Sequence, residues 1–165
     1  MPQQNNFLTA IAYVIQNEGT TYYEDPKTGE KSKFGITEKL LKSINYYIQD
    51  PKDLNGDEAI NIYWFYFWIL PHFNELQNPK IATKILDMTV NMGSHQATQL
   101  IQRVLGIKDD GVFGFLTISE VNKANPDDLM NKLVQSCKDY YTKIGVGDNQ
   151  KNLAGWLARG SKIPV

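Results

Sequence analysis

The chain of 165 residues has one cysteine, two histidines and a net charge of only −1 at pH 7, and each scarcity removes a class of function. A single thiol, Cys137, excludes a disulfide scaffold within the chain. It lies on a helical stripe with Met130, Leu133, Tyr141 and Ile144, and no His or Asn is placed to activate it, so it reads as a reduced core residue. His72 and His95 have no metal-ligand spacing with other residues, so neither a metal nor another cofactor is expected, and both read as surface or capping residues. The 17 basic residues are scattered rather than clustered, which argues against a nucleic-acid partner. The longest apolar run, Ile62 to Leu70, stops at Pro71, far short of the roughly twenty residues a bilayer span needs. No integral membrane segment is expected. Nucleotide-binding glycine loops and Gly-x-Ser-x-Gly elbows are missing too.

What the chain does have is a run of capped, amphipathic segments. Phe7, Ile11 and Val14 recur at the spacing that lines one helix face, and the next position on that stripe is Glu18. Gly19 follows at once, a left-handed stop that would project the carboxylate from the last turn. A carboxyl half-embedded in apolar surroundings holds its proton more tightly, which suits a general acid. Asn55 with Glu58 forms a capping box for a helix from about Asp57 to Ile69, apolar on every side and expected to be the central one. Further helices are expected after Thr37, after Pro79, from Ser94 to Gly106, after a Thr117/Glu120 cap, after Asn125-Pro126, and around Leu153, Trp156 and Leu157. Between Gly19 and Gly35 no helical stripe survives, so a loop or small β-turn structure should form a lip beside Glu18.

The expected fold is therefore mainly α, with residues 1–77 and 78–165 as two parts packed into one compact unit. In the lip, Glu24, Asp25 and Glu30 are near enough in sequence to face Glu18 across a cleft, and Asp25 is ranked first because Pro26 fixes its turn. Asp87 and Asn91 lie one helical turn apart on a polar stripe with Thr83 and Ser94, suited to the cleft floor or to holding the lip.

These residues form an ordered resemblance. Glu18-Gly19-Thr20-Thr21-Tyr22, Asp25-Pro26, Thr28-Gly29-Glu30-Lys31-Ser32-Lys33 and Phe34-Gly35-Ile36-Thr37 resemble the N-terminal signature of glycoside hydrolase family 108, phage-lysozyme-like N-acetylmuramidases. The likeness continues through Tyr63 to Trp68, Asp87 to Gly93, and Asp110-Gly111-Val112-Phe113-Gly114 to the terminal Trp156-Leu157-Ala158-Arg159, covering almost the whole chain. Thr20 stands where the family has a second glycine, Ser32 where it has a threonine, and Lys27 where it has a loop aspartate.

The resemblance implies a lysozyme-like helical domain with a peptidoglycan-binding C-terminal part. It also implies cleavage of the β-1,4 bond between N-acetylmuramic acid and N-acetylglucosamine, with Glu18 as the catalytic acid. Asp25 and Ser32 are the expected catalytic partners; Tyr22, Phe34, Tyr63 and Asn91 are the expected sugar contacts. A lytic transglycosylase, or a relative that binds glycan without cutting it, is the alternative. Met1-Pro2-Gln3-Gln4-Asn5-Asn6 lacks a basic n-region, so synthesis in a bacterial or phage-infected cytoplasm without a signal peptide is expected. A holin or secretion system would then give access to peptidoglycan, the expected partner, in the periplasm or outside.

Overall fold

The computed structural model describes residues 2–164. Eight α-helices and one three-stranded sheet occur among them: α1 (Pro2–Glu18), β1 (Tyr23–Glu24), β2 (Lys31–Lys33), β3 (Ile36–Thr37), α2 (Glu38–Ser43), α3 (Gly56–Ile62), α4 (Pro79–Met92), α5 (Ser94–Leu105), α6 (Phe115–Lys123), α7 (Pro126–Ile144) and α8 (Gln150–Gly160). The fold is mainly α, with a small antiparallel β lip directly after the first helix.

Caps decide most boundaries. Gly19 ends α1 at φ 79°, its amide donating to the Ile15 carbonyl at 2.8 Å. Thr37 accepts from the Leu40 amide, and Asn55 and Glu58 form the reciprocal capping box of α3. Asn78 and Asn125 cap α4 and α7, each followed by a proline in the first turn. Thr117 behaves differently from the sequence expectation. It lies inside α6, buried, because its hydroxyl is taken by Gln102 Nε2 at 3.2 Å. Gln102 also donates to Asp110 Oδ1 and the Val112 carbonyl and accepts from the Gly111 amide, so one buried amide side chain organises the whole turn before α6.

The aromatic run departs further. After Ile62 the chain widens into a π-helical segment, Tyr63–Ile69, closed by the Leu70 amide on the Phe65 carbonyl at 2.9 Å. The i,i+5 repeat aligns Tyr63 with Trp68 on the buried side and Phe65 with Leu70 on the exposed side. An α-helical turn would not superpose those pairs. The segment thus has an outward face, and the central position belongs to α4. Every residue from Ile81 to Thr89 is buried there, and α4 packs against α1, α5, α7 and the π segment. Phe7 meets Trp64 and Trp68 at 4.9 and 5.7 Å, and Phe73 meets Phe113 at 4.9 Å, carrying one aromatic core across both parts of the chain.

Two charges sit inside that core on α4. Lys84 is fully buried and donates to the carbonyls of Gly160 and Lys162 at 2.8 and 2.9 Å, capping the C-terminal end of α8. Burial pushes its pKa below the ordinary lysine value, yet two carbonyl acceptors satisfy the ammonium. Close approach at Gly160, where a Cβ would sit 3.1 Å from Cys137 Cβ, and the stacking of Trp156 on Tyr141 at 5.8 Å fix α8 against α7. Lys84→Met strands both carbonyls and should lower stability by about 1–3 kcal/mol in urea unfolding; a midpoint at or above that of the parent would contradict this role.

Candidate active site

Glu18 stands at the end of α1 with its side chain 21 % exposed, while Phe7, Ile11 and Val14 on the same stripe are buried. Its surroundings come from four other elements. Arg159 of α8 donates from Nη1 to Glu18 Oε1 at 2.6 Å. The same guanidinium donates from Nη2 and Nε to Asp87 Oδ1 at 2.8 and 3.1 Å, and Asn17 Nδ2 reaches that oxygen at 3.2 Å. Asp87 is 3 % exposed and Arg159 15 %, so the ion network runs inward from a partly open end at Glu18. Burial alone would lower the pKa of Arg159, but Asp87 and Glu18 hold it above its ordinary value.

The lip closes over this network. Tyr63 is wholly buried and donates its hydroxyl to the Phe34 carbonyl at 2.9 Å, anchoring the tight β2–β3 turn in which Phe34 and Gly35 both take positive φ. Burial first, and the Glu18 charge second, raise its pKa well above the tyrosine range. Gly35 lies directly against Glu18: a Cβ there would come within 2.7 Å of Glu18 Cγ and 2.8 Å of the Tyr63 hydroxyl. From Gly35 a mainly apolar groove of about 430 Å³ runs past Thr37, Tyr66, Leu70, Thr89 and Gly93. Glu18 adjoins this open, aromatic-bearing groove through its contact with Gly35, and a carboxyl so placed can donate a proton to a bound ligand.

The residues singled out in sequence fall at different places in the lip and behind it. Ser32 occupies the middle of β2, paired with Tyr23 on one side and Thr37 on the other, and thus shares a face with the groove-lining Thr37. Lys31 and Lys33 take the opposite face, bonded to Asp50 and to the carbonyls of Lys52 and Leu54. Asp25 is a turn residue. Its Oδ1 accepts from the amides of Lys27 and Thr28 at 2.7 and 3.0 Å, and these bonds hold its carboxyl below the usual aspartate range. Glu24 takes the Tyr22 hydroxyl at 3.0 Å.

Phe34 carries the Lys33 ammonium 5.4 Å from its ring centre. Asn91 is pinned from Nδ2 to the Tyr141 hydroxyl at 2.5 Å, which ties α4 to α7. Tyr63 presents no face to solvent and acts as the lip's anchor. Missing from the sequence reading is the pairing of Arg159 with Glu18 across 141 positions. Its one available signal was the arginine in the terminal Trp-Leu-x-Arg match.

Gly35 is the most exacting backbone position of the site. Gly35→Ala meets both a left-handed φ of 76° and two side chains, so a loss of about 1–3 kcal/mol in thermal or chemical unfolding is expected, with the surroundings of Glu18 disturbed in parallel. An alanine variant as stable as the parent would mean the turn is looser than described.

Comparison with known proteins agrees with this architecture. The family model described as Glycosyl hydrolase 108 matches residues 11–93, and the model described as Predicted Peptidoglycan domain matches residues 96–161. The two matches thus meet at the Gly93 break between α4 and α5, and α4 falls within the first. No curated protein matches the chain. Among solved structures, that of Brucella abortus SagA is similar over 96 % of this chain and 91 % of its own, with a TM-score of 0.80 and 26 % identity. With half of its length matched by the hydrolase model and most of the remainder by the peptidoglycan model, the chain belongs to the glycosyl hydrolase 108 family and is a lysozyme-like protein that acts on peptidoglycan.

Proposed function

We propose that the protein is an N-acetylmuramidase that hydrolyses the β-1,4 bond between N-acetylmuramic acid and N-acetylglucosamine, with Glu18 as general acid. The placement of Glu18 carries this reading. Oε1 is held by Arg159, Oε2 makes no hydrogen bond among the described residues, and the side chain packs at Cγ and Cδ against Gly35, which lines the groove. A glycan strand laid along the groove would offer its bridging oxygen to that carboxyl. Proton donation then releases the leaving sugar as the oxocarbenium-like charge develops.

Ser32 is assigned to the attacking water. Its hydroxyl makes no hydrogen bond among the described residues and shares the strand face of Thr37. Asp25 is assigned a positioning role, since its carboxylate fixes the turn that carries β2. Tyr22 and Phe34, at the lip, are the proposed sugar contacts; Asn91 and Tyr63 support the groove from behind. No helix among the described residues is long and apolar enough to cross a membrane, and a holin or secretion system is the route this reading assigns for reaching the wall.

One observation favours a second reading. Of the three lip acids, Asp25 is engaged by backbone amides and Glu24 by Tyr22, which leaves Glu30 alone without a side-chain hydrogen bond among the described residues, and a lytic transglycosylase needs no second acid. Glu18→Gln should stay folded and lose muropeptide release from purified sacculi by at least about 100-fold; retained release would sink the assignment. Mass spectrometry of the parent's products separates the alternatives. New reducing ends are expected, 1,6-anhydro ends would replace hydrolysis by transglycosylation, and binding with no new ends would leave only a glycan-binding protein.

A further inference from the structure

We propose that Asp87 and Arg159 are positioning residues for Glu18: the guanidinium on α8 orients the acid while Asp87 cancels its charge, so the last helix of the peptidoglycan match is part of the catalytic apparatus. The proposal rests on Glu18 being the acid. Its basis is the sharing of one guanidinium between two carboxylates in which both Nε and Nη2 go to Asp87 and only Nη1 to Glu18. A planar fork with fixed donor directions sets where the Glu18 carboxyl points, which a flexible ammonium would not do.

Charge balance gives the arrangement its second consequence. An arginine 2.6 Å from a carboxyl favours the carboxylate, and a carboxylate cannot donate a proton. Asp87, buried and held to the guanidinium by two hydrogen bonds at 2.8 and 3.1 Å, offsets that field. The three groups together carry one negative charge, as Glu18 would alone. Around them stand Asn17, which bonds both Asp87 and Lys162, and Tyr13 on α1; Tyr63 on the π segment; and Lys84 on α4 with Cys137 on α7 behind Asp87. Lys84 in turn holds the carbonyls of Gly160 and Lys162, in the chain that immediately follows Arg159.

The two partners can be removed with opposite results. In Asp87→Asn the guanidinium, left to Glu18 alone, should move the alkaline limb of the rate–pH profile down by about one pH unit. In Arg159→Met the unpaired Asp87 charge should move it up, with kcat falling at least tenfold. Because Arg159→Met leaves a buried carboxylate alone and is the variant most exposed to misfolding, the double variant Arg159→Met/Asp87→Asn is the safeguard. It should fold, return the limb toward the parent position, keep kcat low, and leave KM for soluble glycan strands within about twofold.

Carbon-13 titration of the Glu18 carboxyl should shift in the same directions without any need for turnover. Limbs and titrations that stay put in both single variants, or a double variant with the parent's kcat, would overturn the proposal; a merely structural role would lower melting temperature in all three without opposed shifts. Parent protein that releases no glycan ends would instead defeat the muramidase reading, while the titration would still report on the Asp87–Arg159 pair.

Discussion

The Arg159 guanidinium is the constraint around which the rest of this molecule is arranged. It links the end of the first helix, the middle of α4 and the last turn of α8, which are separated by up to 141 positions in the chain. A largely buried guanidinium is expensive unless it is paired, and here two carboxylates take one bond from each of its three nitrogens. Removing either would leave the guanidinium to the other carboxylate alone. α4 must therefore carry Asp87 within an otherwise apolar surface, and it carries Lys84 one turn earlier to hold the helix that brings Arg159.

That requirement explains why α4, rather than the aromatic segment, is central. The aromatic run is more hydrophobic, but a π-helical repeat sends Phe65 and Leu70 outward, and its inward members work for the lip. Tyr63 is the clearest case. Its ring is core, its hydroxyl fixes the Phe34 carbonyl, and the turn so fixed places Gly35 where no side chain could stand against Glu18. Core packing and site geometry are the same contacts here.

Much of this was legible from local pattern. The Phe7, Ile11, Val14 stripe and the Gly19 stop announce an acid at the end of a helix, because burial and left-handed termination both depend on nearest neighbours along the chain. The caps at Thr37, Asn55 and Asn125 and the helix start at Pro79 are legible for the same reason. What periodicity could not give is any pairing across distant elements: Arg159 with Glu18, Lys84 with two C-terminal carbonyls, or Gln102 with the turn before α6. The π segment also escaped, since seven bulky residues read equally well as an α-helix until their burial is seen. Asp25 is instructive in the other direction. Its place before a proline announced a turn, and the turn itself uses the carboxylate.

Catalysis as proposed requires Glu18 to meet a glycosidic oxygen beside Gly35 while α8 holds it from behind. A crystal structure of the Glu18→Gln variant with a bound peptidoglycan fragment tests this most directly. The bridging oxygen should lie within hydrogen-bonding distance of residue 18, with Arg159 still on Asp87. A fragment bound elsewhere, or an Arg159 that leaves Asp87 to contact the sugar, would contradict it.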